Sequence, residues 1–377
     1  MQKANEALKK QFGYSDFHPM QENIINDVLA DRDVLVLMPT GSGKSLCYQL
    51  PAIMKDGITI VISPLIALMK DQVDGLRANG IGASCINSSL SIKEIEDAKI
   101  KLLENKDKLL YIAPERLTSS NFLCFLKMLK IALFAIDEAH CISEWGHDFR
   151  PEYGKLSILR EMFPHVPIIA LTATAVPDVQ KDIIQALKLS APRIYKASFD
   201  RPNLFYCVRP KEDTYEQIIH HISKHHKDSG IIYCQGRKSV EKLAEKLHKD
   251  GFRALPYHAG LSKETRIKNQ EMFKKDDVEI IVATIAFGMG INKPNVRYVI
   301  HYDLPKNIES YYQETGRAGR DQLDSDCILF FSYGDKKKIE ILIDKSKNQQ
   351  KKAVAYRKLV EMIKFCENLQ CRRKFLL

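Results

Sequence analysis

Residues 33–52 read DVLVLMPTGSGKSLCYQLPA, and the order strand, loop, helix in this run decides the architecture. Val34 to Leu37 is wholly apolar, as a strand covered on both faces of a parallel sheet must be. Thr40, Gly41, Ser42 and Gly43 then form a loop whose glycines let backbone N–H groups turn inward, at the positive end of the next helix. Lys44 can reach the β- and γ-phosphates of a bound nucleotide, and the Ser45 hydroxyl suits a magnesium ion. The strict pattern asks for glycine at position 38, where this chain has Met38; the core T-G-x-G-K-S is intact. The bland alternative is a glycine-rich turn that binds nothing, and the flanking strand and helix argue against it.

About ninety residues on, the chain reads AIDEAH from Ala135 to His140. Leu133 to Ile136 reads as another buried strand, so Asp137 and Glu138 emerge at its carboxyl end, where ligands sit in open α/β sheets. Asp137 would hold magnesium, directly or through water, and Glu138 would orient and deprotonate an attacking water. An acidic pair after a strand is usually a solvated strand end. Combined with the phosphate loop it becomes a site for ATP and Mg2+.

The chain has 377 residues, too many for one ordinary core, so two or three domains are expected. No apolar stretch approaches membrane-spanning length, and MQKANEALKKQFGY at the N-terminus lacks a signal peptide's apolar centre. The nine cysteines are scattered without a C-x-x-C pair, which fits thiols in a reducing compartment better than a disulfide framework. The net charge is +10, and residues 335–377 hold thirteen Lys/Arg against five Asp/Glu. Such a basic tail is a solvated helix face or a polyanion contact.

Apolar runs at Ile58–Ile62, Leu109–Ile112, Leu133–Ile136 and Ile168–Leu171 alternate with helical stretches. After Asp200-Arg201-Pro202-Asn203 the pattern restarts, with runs at Ile231–Cys234, Glu279–Ala283, Val296–Tyr302 and Ile328–Phe331. This is the signature of βαβ units in two doubly wound lobes. Only the first carries a phosphate loop. Lys336 to Lys364 reads as helical. The cluster HHISKHH (His220–His226) places His221 and His225 four apart on a helix, but with no cysteine or carboxylate motif beside it a solvated face is expected rather than a ligand set.

The second lobe contains ESYYQETGRAGRDQ, Glu309 to Gln322, with Arg317 and Arg320 among small residues that let a helix face pack closely. An arginine that reaches the other lobe's nucleotide stabilises transition-state charge and is worth a factor of ~10³ or more. The alternative is a pair of surface arginines on a helix.

Taken together, these motifs resemble the RecQ-type DNA helicases of helicase superfamily two, along the whole chain. FGYSDFHPMQ resembles the family's adenine-reading motif, with Tyr14 and Gln21 in matching places and His18 where the family usually has arginine. SPLIALMKDQVDGL, YIAPERL, LTATA, YHAGL and VATIAFGMGINKPNVRYVIHYDLP resemble its strand-tracking and coupling motifs. Gln313, Arg317 and Arg320 fall in its sixth motif, which departs only in having Gln322 where glycine is common. SEWGHDFRPEY resembles the aromatic-rich loop that separates these enzymes from RNA helicases of similar core. It holds Trp145 with Phe149, Arg150 and Tyr153; its aromatic side chains would stack on unpaired bases, at ~1–3 kcal/mol each, and the loop would report DNA occupancy to Glu138; the alternative is that Trp145 anchors a hydrophobic corner. CENLQCRRKFLL resembles the opening of the family's zinc-binding domain, with Cys371 at the first zinc ligand.

The resemblance implies two tandem RecA-like parallel-sheet lobes and a short C-terminal helical segment: 1–205 for ATP binding, 206–337 for the second lobe and 338–377 for the start of an incomplete zinc-binding domain. It implies a DNA-stimulated ATPase that moves 3′→5′ on single-stranded DNA and unwinds duplex in repair and recombination, acting as a monomer on single strands and single/double-strand junctions. Zn2+ would be held only in a longer form, and the 377 residues would hydrolyse ATP yet unwind weakly. The expected place is the cytoplasm, on the nucleoid of a bacterium or in a eukaryotic nucleus. An RNA helicase and a nucleic-acid scaffold with a dead ATPase are the alternatives.

Overall fold

The computed structural model describes residues 2–88, 90–143, 149–173, 176–288, 293–346 and 348–376. The chain divides into two compact units, Met1–Ser198 and Phe199–Leu377, each built on one parallel sheet.

The first sheet holds β1 (Val34–Leu37), β2 (Ile58–Ile62), β3 (Ala83–Ile86), β4 (Leu109–Ile112), β5 (Ile131–Ile136), β6 (Ile168–Thr172) and β7 (Arg193–Lys196), in the order 3-4-2-5-6-1-7. Side chains alternate across it. Leu35, Ile60, Ile62, Leu110, Ile112 and Ile136 fill one face, while Val34, Val36, Val61, Leu109, Leu133 and Ala135 fill the other. Each such aliphatic side chain stabilises the fold by ~1.5–3 kcal/mol, and covering both faces with helices is what makes these strands continuous apolar runs.

This order brings the chemistry together. β6 lies between β5 and β1, with Leu37 opposite Thr172 and Ile136 opposite Ala170. The phosphate loop after β1, the acids after β5 and Thr172 at the end of β6 therefore meet at one sheet edge, the carboxyl ends where open α/β sheets bind ligands.

The second sheet holds β8 (Leu204–Pro210), β9 (Ser229–Tyr233), β10 (Ala254–Tyr257), β11 (Ile280–Ala283), β12 (Val296–His301) and β13 (Ser325–Phe331), in the order 10-11-9-12-13-8. A boundary at 205/206 would cut β8, whose seven residues pair with β13 from Leu204 to Pro210; the chain passes between units earlier, at Ser198/Phe199.

Three local expectations are corrected. The span Lys336–Lys364 is not one helix but parts of two, Tyr333–Asp344 and Gln349–Glu367. Asn348 starts the second by accepting the Lys351 N–H with its side chain, the usual asparagine cap. Both helices pack on the second unit through Ile339, Leu359, Met362 and Phe365, so a boundary at 338 falls within the first of them. The histidine cluster is not a solvated face. His221 is buried against Tyr298, edge-on at 5.4 Å between ring centroids, and only His220 and His226 are exposed. Among the described residues no helix is long and apolar enough to cross a membrane.

Candidate active site

The phosphate loop is braced by Gln21. Its side chain is buried, and Nε2 donates to the carbonyls of Ser42 (3.3 Å) and Gly43 (3.1 Å) while Oε1 accepts from the His18 N–H (2.8 Å). Gly43 has φ +77°, and a Cβ there would stand 2.4 Å from Gln21 Nε2. Only glycine allows both the turn and the brace. Gln21 therefore joins the segment expected to read adenine to the loop expected to hold phosphate. Tyr14 and His18, on the segment just before Gln21, are both exposed. Lys44 Nζ donates to the carbonyls of Met38 (3.0 Å) and Pro39 (3.1 Å), which holds the ammonium in the concave side of the loop. Thr40, Ser42 and Ser45 are partly exposed around it.

The departure at position 38 has a packing reason. Met38 is buried in the apolar cluster beneath the loop, and its N–H donates to the Thr172 carbonyl. A side chain there fills core volume without entering the phosphate cradle.

Asp137 and Glu138 follow β5. Burial raises the Asp137 carboxyl to about 7, with the Glu138 carboxylate adding to the rise and Lys44 opposing it. Glu138 adopts φ +48°, ψ +45°, a left-handed backbone that costs a non-glycine residue of order 1 kcal/mol and gathers at functional sites. Its buried Oε2 accepts no hydrogen bond, though His140 Nδ1 lies 3.3 Å away. The same Nδ1 shares a 2.9 Å hydrogen bond with Thr172 Oγ1. Two neighbouring carboxyl groups with Lys44 acting on one of them fit a divalent cation; Ser45 and Asp137 would hold magnesium, which would neutralise charge on a bound triphosphate.

Sequence reasoning named Glu138 but gave His140 and Thr172 no role as a pair, although both lie in quoted runs. Their contact joins the turn after β5, Ala139–Ile142, to the last residue of β6, and only the adjacency of the two strands reveals it.

Of the aromatic-rich loop, Trp145 lies outside the described residues. Phe149 and Arg150 are partly buried, and Arg150 Nη1 donates to the Pro64 carbonyl at 2.8 Å. Tyr153 corrects the expectation that it stacks on bases. It is fully buried, and its hydroxyl donates to the Asp137 carbonyl at 2.9 Å. It ties the far end of the loop to the catalytic backbone, which is a positioning task. Tyr153→Phe leaves that carbonyl short of a partner and should lower unfolding free energy by ~1–3 kcal/mol in a urea titration. A loss under ~0.5 kcal/mol would mean that the bond holds nothing.

In the second unit the helix carrying Gln313 ends at Thr315, so Arg317 and Arg320 sit in the turns beyond it rather than on a helix face. Arg317 is buried, with its positive charge near the Tyr233 hydroxyl, which donates to the Phe287 carbonyl at 2.7 Å. Gln313 and Arg320 are partly exposed. The turn between the arginines is clamped from the run Asp200–Asn203, which the sequence marked only as a junction. Arg201 Nη2 donates to the Gly319 carbonyl at 2.7 Å and Asn203 Nδ2 does so at 2.9 Å. Gly319 has φ +55°, and a Cβ would stand 2.4 Å from Asn203 Nδ2 and 2.7 Å from the Leu323 carbonyl. Gly319→Ala should therefore cost ~2 kcal/mol or more, read as a lower urea midpoint. An unchanged midpoint would show that the clamp yields freely.

Cys371 is exposed, and the N–H groups of Lys374 and Arg373 hold its thiol below the ordinary range. One thiolate does not make a structural zinc site, and these residues do not hold zinc by themselves.

Comparison with known proteins matches this arrangement throughout. Residues 18–183 match the DEAD/DEAH box helicase model, 211–322 the helicase conserved C-terminal domain and 333–377 the RecQ zinc-binding model. A Pasteurella multocida protein named ATP-dependent DNA helicase RecQ is 49% identical over 377 residues; the chain spans 60% of that relative's length. Among solved structures, Mycobacterium smegmatis helicase Lhr bound to ssDNA and AMP-PNP superposes with a TM-score of 0.71 at 20% identity, over 90% of this chain and 49% of that one. Saccharomyces cerevisiae Dbp5 bound to RNA and ADP BeF3 gives 0.69 at 17% identity, over 94% and 97%. These two likenesses show the fold, two RecA-like lobes. The three models in series and the identity carried across the whole chain show the family: the protein belongs to the RecQ-type helicases of superfamily two.

Proposed function

We propose that this chain is the motor of an ATP-dependent DNA helicase: a DNA-stimulated ATPase that moves 3′→5′ on single-stranded DNA. The observation that carries the reading is the single cluster of Lys44, Asp137, Glu138, His140 and Thr172 at one edge of the first sheet. Lys44 and the loop N–H groups bind the phosphates. Glu138 takes a proton from the attacking water, with His140 beside it to orient the carboxylate. Thr172, through His140, gives β6 and the segment after it a mechanical connection to the hydrolytic acid. Gln21, with Tyr14 and His18, forms the adenine end of the nucleotide site.

In this reading the first unit, Met1–Ser198, serves as the ATP-binding lobe and the second, from Phe199, carries the second motor lobe. From the latter Gln313, Arg317 and Arg320 contribute to phosphate chemistry, and residues 333–377 open a zinc-binding segment. The partners are single-stranded DNA and its junctions with duplex, the protein acts as a monomer, and the setting is DNA repair and recombination in the nucleoid or nucleus.

A second reading, RNA helicase, has the likeness to RNA-bound Dbp5 in its favour, but the 49% identity lies with a DNA helicase. ATP turnover with single-stranded DNA and with RNA of the same sequence separates the two. Stimulation of at least ~10-fold by DNA and little by RNA is expected. The reverse preference would establish the RNA reading, and no stimulation by either would leave a scaffold.

A further inference from the structure

The end of the Thr214–Lys224 helix lies over the second sheet and brings two histidines to one carboxylate. His225 Nε2 is 3.4 Å and His221 Nε2 is 3.7 Å from the same atom, Asp326 Oδ2 on β13. All three donor atoms lie within 4.8 Å of one another. The two rings are 4.5 Å apart at their centroids and tilted by 40°.

Two features separate this cluster from ordinary hydrogen bonding. Both separations exceed the ~2.7–3.2 Å of an N–H···O bond, and the buried His221 Nε2 has no hydrogen-bond partner. They approach instead the ~3.3 Å that two ligands keep when each stands ~2.0–2.1 Å from a tetrahedral ion. Second, His225 Nδ1 is 3.0 Å from Asp228 Oδ2. That carboxylate holds the proton on Nδ1 and leaves the Nε2 lone pair directed at the Asp326 side, the outer-carboxylate arrangement that orients ligating histidines.

The surroundings complete the case. Tyr298 forms an aromatic wall, its ring 5.4 Å from His221 and 5.7 Å from His225. The side chains of His225 and Asp326 remain 28% and 30% exposed, which leaves a side open for water as a fourth ligand. Arg209, Lys224 and His220 bring positive charge toward His221, and the carboxylates of Asp326 and Asp228 offset it. The affinity should consequently fall below that of a closed four-ligand site.

We propose that His221, His225 and Asp326 bind a divalent ion of the zinc class, two imidazoles and a carboxylate being a borderline donor set suited to Zn2+ or Co2+ rather than Mg2+ or Ca2+. The ion clips the helix end to β13, in a place separate from Cys371 and from the nucleotide site. It is a structural site in the second unit.

The test uses the 377-residue protein carrying Cys371→Ser, with Co2+ as an absorbing probe and Zn2+ as competitor. One Co2+ should bind with visible d–d bands and no thiolate charge-transfer band, and Zn2+ should displace it. Zn2+ at a hundredfold excess over its Kd should raise the melting midpoint of the second unit by roughly 5–10 °C. His225→Ala and Asp326→Asn should each weaken binding by ~100-fold or more, and Asp228→Asn by ~10-fold. His226→Ala, at an exposed ring, should change affinity less than ~2-fold. His221→Ala removes a buried ring and can fail to fold, so the two partly exposed ligands decide. Equal affinity in wild type, His225→Ala and Asp326→Asn would overturn the site, as would binding that disappears with His226→Ala.

Discussion

Replacing Glu138 with glutamine should lower ATP turnover by ~10²–10⁴-fold while the protein stays folded and still binds nucleotide. The magnitude follows from the role: a general base contributes through proton transfer, and an amide of the same shape cannot accept the proton. The fold should survive because the substitution conserves volume and breaks no hydrogen bond at Oε2, which has none. It also removes one of two facing charges. The Glu138 carboxylate is among the causes that raise Asp137, so the neutral amide lets Asp137 ionise more readily. Stability at neutral pH should match or slightly exceed that of the wild type. The check is kcat beside a urea titration and a fluorescent-nucleotide titration. A drop of less than ~10-fold would mean that another group activates the water, and loss of the fold would mean that the strained Glu138 backbone depends on its charge.

The sequence showed the centre of each sheet better than its rim. Nine strands were readable as apolar runs; the four that were not, β3, β7, β8 and β10, are the four edge strands. A central parallel strand is covered on both faces and bonded on both sides, so nearly every residue is apolar. An edge strand is under no such demand. RIYK in β7 is largely exposed, and β10 accepts Pro256 because an edge can lose a ladder donor. The catalytic pieces were legible for a related reason. A phosphate loop and an acidic pair are local, set by a strand end and a helix start a few residues apart. What escaped were contacts made across strand order. The Gln21 brace spans 21 residues to Ser42, the His140–Thr172 bond spans 32, and Arg201 reaches Gly319 across 118. The misreading of His221 has the same origin, because a polar run looks solvated until the sheet beneath it is placed.

Lys44→Ala should lower kcat/KM for ATP by ~10²–10³-fold or more, the scale of removing one preorganised charge from a reacting phosphate. The lysine does two things in this structure. It lies along the loop with its ammonium on the Met38 and Pro39 carbonyls, and it opposes the rise of the Asp137 carboxyl. Alanine therefore takes away a phosphate contact and pushes Asp137 further toward the protonated form, which weakens its use as a magnesium ligand. Lys44→Arg separates these effects. It keeps the charge that restrains Asp137, but a planar fork does not replace a compact ammonium in a loop this tight. Arginine should thus bind the nucleotide–magnesium complex better than alanine while recovering little kcat. The split between kcat and KM decides what the lysine does. If alanine raised KM and left kcat intact, Lys44 would bind ground and transition states alike, and its place in the chemistry would be lost. The double variant with Glu138→Gln supplies the last discrimination. Groups acting on one phosphoryl transfer are strongly non-additive, so its turnover should fall little below that of Glu138→Gln alone, whereas full additivity would mark two independent sites.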